Sequence, residues 1–142
     1  MIRYWPSDLP QRVLADSFSE GLADGRLRTA METGHAKSRR RFSSTPKPVA
    51  AGFKVSLDEK ARLERFWLEE IAGGSLPFLI PDQTGDGVAL LAAGGLQLLD
   101  DQGRPLINTA WWLVLAGDSP PAFTTRNRGI SYTATFPLMV LP

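Results

Sequence analysis

Cysteine is absent from the 142 residues, and histidine occurs once, at His35. Without thiols the chain has no disulfide, no thiolate metal site and no cysteine nucleophile. One imidazole excludes a multi-histidine metal centre within a single chain. An excess of charge of either sign is missing too: 16 basic and 15 acidic residues give a formal net charge of +1. A protein that binds nucleic acid by neutralising phosphates normally carries a larger imbalance. No apolar run nears the roughly 20 residues that cross a bilayer. The opening MIRYWPSDLPQ lacks the apolar stretch of a signal peptide. The expectation is a soluble protein suited to a reducing cytoplasm, with no membrane partner. The 43% of hydrophobic residues is enough for one globular domain with a core.

What is present in excess is local. GHAKSRRRFSS, residues 34–44, gathers Lys37, Arg39, Arg40 and Arg41 beside His35. A bare basic run of this kind is the usual footprint of nucleic-acid contact. Its setting changes that reading. Leu27, Thr29 and Met31 alternate on one side of a run. After a turn at Gly34, Lys37, Arg39 and Arg41 share one side, with Arg40 and Phe42 opposite. That period belongs to strands, and two such runs in series pair best as antiparallel neighbours. Pro46 and Pro48 break the pattern before Val49, Ala51, Phe53 and Val55 resume it.

Residues 1–25 show no clear period and read as an extended arm. Trp5 and Leu9 would either grip a neighbouring subunit or pack on their own domain, and Pro6 and Pro10 keep the segment out of helices and central strands. One helix is well signalled, over about residues 57–72. Ser56-Leu57-Asp58-Glu59 is a capping box, in which serine and glutamate each serve a free N–H. Leu63, Phe66, Trp67 and Ile71 form an apolar stripe, and Gly73-Gly74 offers a left-handed stop. LPFLIPD reads as a short buried strand that completes a core region over residues 26–82.

Residues 83–129 read as additional hairpins and loops, with strands at Val88–Ala93, Leu96–Asp100 and Pro105–Leu115. Residues 130–142 hold a terminal strand that aligns Ile130, Tyr132, Ala134 and Phe136, with Pro137 marking a bulge or an edge. The fold class is therefore mainly β with one α-helix, in a single domain: a small antiparallel β-sandwich or barrel flanked by a helix.

Catalytic chemistry finds little support. DQTGDG, residues 82–87, sets Asp82, Thr84 and Asp86 at calcium-loop spacing, but Ala93 stands where the bidentate glutamate belongs. A turn is the better reading. His35 has no serine or carboxylate at a telling spacing, and there is no nucleophile elbow or phosphate-cradling loop. The chain reads as a non-enzyme that needs no cofactor and no metal. Trp111-Trp112 puts one indole on each face of a strand, so one fills the core while the other faces a loop or a partner, or both lie on a covered strand.

The order of features resembles the minor tail protein M family of long-tailed bacteriophages of the lambda type. The residues that carry the resemblance are Val55, Leu63, Phe66, Gly73-Gly74, Phe78 and Pro81, within SLDEKARLERFWLEEIAGGSLPFLIPD. It covers residues 26–82 and, more weakly, 130–141. The WPSDLP arm and a longer segment from Gly85 to Gly129 depart from the family pattern. The family is similar in turn to distal tail proteins. The resemblance implies a structural protein of the virion tail tip, assembled in the host cytoplasm as a ring, commonly a hexamer. That ring would join the tail-tube protein to the tail hub and tip proteins. DNA would pass through its lumen without specific binding.

On that view Lys37, Arg39, Arg40 and Arg41, together with Trp5 and Leu9, form the inter-subunit interface. The arginines would meet carboxylates of adjacent subunits, which suits the planar fork of the guanidinium. Two other readings compete. One is a small nucleic-acid-binding β-barrel that uses Arg39–Arg41 with Phe42 as a stacking platform. The other is a tail-terminator or head–tail connector subunit.

Overall fold

The computed structural model describes every residue from Met1 to Pro142. Nine strands and one helix follow in chain order: β1 (Arg3–Tyr4), β2 (Ser19–Glu20), β3 (Arg26–Thr29), β4 (Lys37–Arg40), β5 (Lys47–Ser56), α1 (Leu57–Arg65), β6 (Phe78–Pro81), β7 (Trp111–Ala116), β8 (Ala122–Arg126) and β9 (Ser131–Val140). The fold class is the expected one, mainly β with a single helix. Seven strands form one sheet in the order β1-β6-β7-β9-β5-β2, with β8 also paired to β9, while β3 and β4 make a separate two-stranded sheet.

The longest pairing is antiparallel, between β5 and β9, from Lys47 opposite Val140 to Ser56 opposite Ser131. The alternation expected along β5 is realised: Val49, Ala51, Phe53 and Val55 are all buried. Ala134, Phe136 and Leu138 answer them from β9, as a period of two requires. Ile130, expected on the same side, is exposed instead, because the chain turns there before β9 begins. The prolines behave differently from expectation. Pro48 lies inside β5, opposite Met139. Pro137 marks neither a bulge nor an edge. On its second flank β9 pairs with β8 up to Thr135 and with β7 only from Leu138. The missing N–H of Pro137 falls in the gap between those partners, where no ladder bond is lost.

Helix α1 starts as the capping box dictates: Glu59 N–H donates to the Ser56 hydroxyl at 3.3 Å and Ser56 N–H to the Glu59 carboxylate at 3.0 Å. It does not run on as an α-helix to residue 72. Phe66–Glu70 is a π-helical turn, closed by Ile71 N–H donating to Phe66 O at 3.1 Å. The extra residue per turn keeps Leu63, Phe66 and Ile71 all buried against the sheet. Gly73 and Gly74, with φ of 67° and 88°, then reverse the chain into β6.

The N-terminal segment is part of the domain. β1 adds to β6, the only parallel pair in the sheet, and β2 adds to β5, so residues 1–25 supply both outer strands. Two-residue edge strands leave little ladder for stray pairing. Trp5 sits at the centre of the core, stacked on Phe53 at 5.0 Å and edge-on to Phe66 at 5.7 Å. Its indole N–H donates to Pro10 O at 3.0 Å. Trp5 and Leu9, expected at a subunit contact, are each only 3% exposed and have no surface to offer a neighbour. Gly52 records how closely the segment lies: a Cβ there would collide with the Ser17 side chain.

Between β6 and β7 the chain builds something the expected strands do not describe. Val88–Ala93 and Leu96–Asp100 are not strands, and of the third run only the part from Trp111 onward is one, in β7. Instead, GVALLAAG, GLQLLDDQ and GRPLINTA form a repeat, with glycines at 87, 95 and 103, each eight residues after the last. The backbone closes the three copies into a ring. Leu98 N–H donates to Leu90 O, Leu106 N–H to Leu98 O and Leu90 N–H to Leu106 O, all at 2.9 Å. The bridges Leu91–Gln97, Leu99–Pro105 and Ile107–Ala89 repeat the same cycle. Each copy opens on a glycine with φ between 74° and 81°, a value L side chains rarely adopt.

Candidate interaction surface

β3 and β4 pair from Arg26 opposite Arg40 to Thr29 opposite Lys37. This register sets Leu27, Thr29, Lys37 and Arg39 on one face of the hairpin and Arg26, Arg28, Ser38 and Arg40 on the other. Every residue of β3 and β4 except Leu27 is exposed. Residues 24–43 hold six basic and two acidic side chains, a charge of +4 that leaves −3 for the remainder of a chain whose total is +1. The near-neutral total therefore conceals a strongly polarised molecule.

The cations are not equivalent. Arg26 is held by Asp24 through a fork of 2.8 and 3.0 Å. That pairing, first through the side-chain hydrogen bond, draws the Asp24 carboxyl down to about 2 and raises the Arg26 guanidinium. Arg40 donates back to its own chain, to Phe42 O at 3.0 Å and to Ser43 O. The Arg41 guanidinium lies over the Phe42 ring at 5.1 Å. Arg28, Lys37 and Arg39 make no ion pair within the chain, and they form the open positive charge of the surface. His35 lies in the exposed turn with no hydrogen bond to any side chain.

The acidic loop at 82–87 is a turn. Asp82 Oδ1 accepts from Thr84 N–H at 2.7 Å, the Thr84 hydroxyl at 2.7 Å and Gly85 N–H at 3.0 Å. Asp86 Oδ1 accepts from Ala110 N–H at 3.0 Å. These carboxylates hold backbone and fasten the foot of the three-repeat ring to β7. No group of three or more histidine, aspartate or glutamate side chains stands close enough to hold a metal ion. Of the two tryptophans, Trp111 is exposed and edge-on to Tyr4 at 5.4 Å, while half-buried Trp112 lies under the Lys47 ammonium at 4.7 Å. No helix is long and apolar enough to cross a membrane.

The fold has a counterpart in a virion. A chain of the virion of a native gene transfer agent particle superimposes with a TM-score of 0.57 at 15% identity, over 100% of this chain and 98% of that one. The likeness is one of fold from end to end. No family model and no curated protein matches the sequence.

The pattern of the sequence points to the basic hairpin without the structure. The three-repeat ring is missed by reading for strands, although its glycines and Leu-Leu, Leu-Leu and Leu-Ile pairs recur at a constant spacing. A comparison of the sequence with itself finds them.

Proposed function

We propose that this chain is a structural virion protein that acts through contacts between subunits, in a ring at the tail tip of a phage-like particle. The observation that carries the reading is the end-to-end correspondence with a virion chain. The tail-tip position, the joining of tube to hub and a lumen for DNA follow from the resemblance of residues 26–82 to the minor tail protein M and distal tail families. The β3–β4 hairpin supplies a physical means. A lone two-stranded hairpin is marginal in water, and this one carries +4 beside a body of −3. Heterologous contacts repeated around an axis require such complementary surfaces on one chain. Lys37, Arg39, Arg40 and Arg41 then face carboxylates of an adjacent subunit, where desolvated charge pairs govern specificity and encounter rate.

The nucleic-acid reading, with Arg39–Arg41 and Phe42 as a stacking platform, is the weaker one, because the end-to-end fold counterpart belongs to a virion particle. Replacing Arg39, Arg40 and Arg41 together by glutamate separates the two. These positions are exposed, so the stability of the monomer should change by no more than about 0.5 kcal/mol per site. Rings or particles seen by electron microscopy with the native protein should be lost. Normal assembly by the variant refutes the role of the hairpin. Salt-dependent retention of oligonucleotides by the native protein, abolished in the variant, replaces the proposal with nucleic-acid binding.

A further inference from the structure

We propose that the three-repeat ring at residues 87–110 is a docking knob, and that its occupant is the groove between α1 and β8 of a second copy of the chain. The inference rests on the assembly reading only in that copies must meet.

The knob is apolar and uncovered. Cyclic symmetry puts Leu90, Leu98 and Leu106 on one face of the ring, with Leu91, Leu99 and Ile107 at the next position of each repeat. All six are between 39% and 61% exposed. With Leu96 and Val88 they leave on the order of 500 Å² of apolar side chain in water, taking ~120 Å² for a fully exposed aliphatic side chain. Summed over the ring, that is more than half of the ~800 Å² a partner contributes to a stable interface. Trp111 follows the knob directly and, with Tyr4, extends the same surface. The knob is also anchored, by Asp82 and Asp86 and by Asn108 donating to Gly85 O at 2.9 Å. Its presentation is fixed before binding.

Its chemistry selects a protein. The knob has one basic residue, Arg104, and that is paired with Asp100 at 2.9 Å. It thus offers no free cation to lipid headgroups.

A matching receptor lies on the same chain. Leu63 and Glu64 of α1, Trp67 and Leu68 of the π-helical turn, and Pro120, Pro121 and Phe123 line a groove of about 330 Å³, with Glu64 paired to Lys60 at 2.7 Å. A cavity of ~150 Å³ already accepts benzene, so this groove has room for more than one leucine side chain. One charge pair can join the contact: Asp101 on the knob and Arg65, three residues from Leu68, are both exposed and unpaired, as is the neighbouring Glu69. A knob and a groove at different places on one chain make a head-to-tail contact that propagates from copy to copy.

The absence of cysteine makes the test clean. The full-length variant carrying both Leu98→Cys and Leu68→Cys should give a ladder of disulfide-linked species on oxidation, and each single variant should stay monomeric. Dimers from Leu98→Cys alone overturn the proposal, because knob would then meet knob. Assemblies that form without the ladder overturn it while the ring reading survives. A ladder that persists when Arg39–Arg41 are reversed supports it independently of the hairpin, whose role is read from particle assembly. No ladder at ~1 mM protein overturns it, because a contact worth only about −4 kcal/mol would be half-occupied there. Leu68→Glu provides a second measure that spares the knob and the core, since Leu68 is 69% exposed. It should weaken association in sedimentation by about tenfold or more, and an unchanged association constant refutes the groove.

Discussion

Replacing Trp5 by alanine tests where the N-terminal segment belongs. The indole lies within 6.2 Å of the Phe53, Phe66, Phe78 and Phe136 rings, centroid to centroid. It is 3% exposed, so truncation removes a fully packed side chain and leaves a void among four aromatic rings. Large-to-small changes of this kind cost ~3–5 kcal/mol, the spread reflecting how far the site collapses. Losing the N–H that serves Pro10 O adds about 1 kcal/mol. A total of ~4–6 kcal/mol is a large part of the ~5–15 kcal/mol by which a domain is stable. At about 2–4 °C per kcal/mol for a chain of this size, the melting temperature should fall by roughly 10–20 °C.

Urea unfolding followed by tryptophan fluorescence measures this directly, at protein concentrations low enough to keep the chain monomeric. Trp111→Ala is the matched control. That ring is 44% exposed and has one edge-on contact to Tyr4, so about 0.5–1.5 kcal/mol is expected. If Trp5→Ala costs less than about 1 kcal/mol in the monomer but blocks assembly, the segment is a grip for a neighbour and its place in the core is wrong.

Two further outcomes follow from the same physics. Gly52→Ala drives a methyl into the Ser17 side chain, and overpacking of this kind costs ~1–3 kcal/mol; adding Ser17→Gly should recover part of the loss in the same unfolding assay, and no recovery refutes the contact. Asp82 and Asp100 ionise below their ordinary range of 3.8. Burial opposes this at Asp82, but the Thr84 hydroxyl and the Thr84 and Gly85 N–H groups outweigh it, while the Arg104 N–H leads at Asp100. A depressed carboxylate stabilises the fold above its unfolded value and ceases to as pH falls through its folded value. The urea midpoint should therefore hold above about pH 4 and drop below it. Asp82→Asn should flatten that drop, and an unchanged acid profile refutes the role of the turn.

Features governed by local chemistry were legible from the residues. The capping box at Ser56 and Glu59, the alternation of Val49 to Val55 and the Leu63–Phe66–Ile71 stripe each depend on neighbours within a few positions. The basic hairpin belongs with them, since its two alternating strands lie only seven residues apart in the chain. What escaped depends on distant partners. Pro137 is tolerated because β9 changes neighbours there, a fact held in β7 and β8 and invisible in the terminal strand itself. Trp5 is a core residue because β1 pairs with a strand more than seventy residues away. The π-turn at Phe66–Glu70 is imposed by the sheet that Phe66 and Ile71 must both reach.

The three-repeat ring shows a different limit. Each eight-residue copy is too short to bury anything, and its leucines alternate much as strand residues do, so each alone reads as a strand. Only the cycle of 2.9 Å bonds among Leu90, Leu98 and Leu106 explains why the copies share a length and a glycine. The cycle needs the backbone and the glycines; it does not need five leucines and an isoleucine at six exposed positions. Closure could be kept with polar side chains there, at a gain in solubility. Their retention in all three copies is better explained by a surface that is covered in use. On the proposed reading, the polarised charge of the basic hairpin and the apolar knob serve the same purpose, each meeting another part of the surface of a second copy.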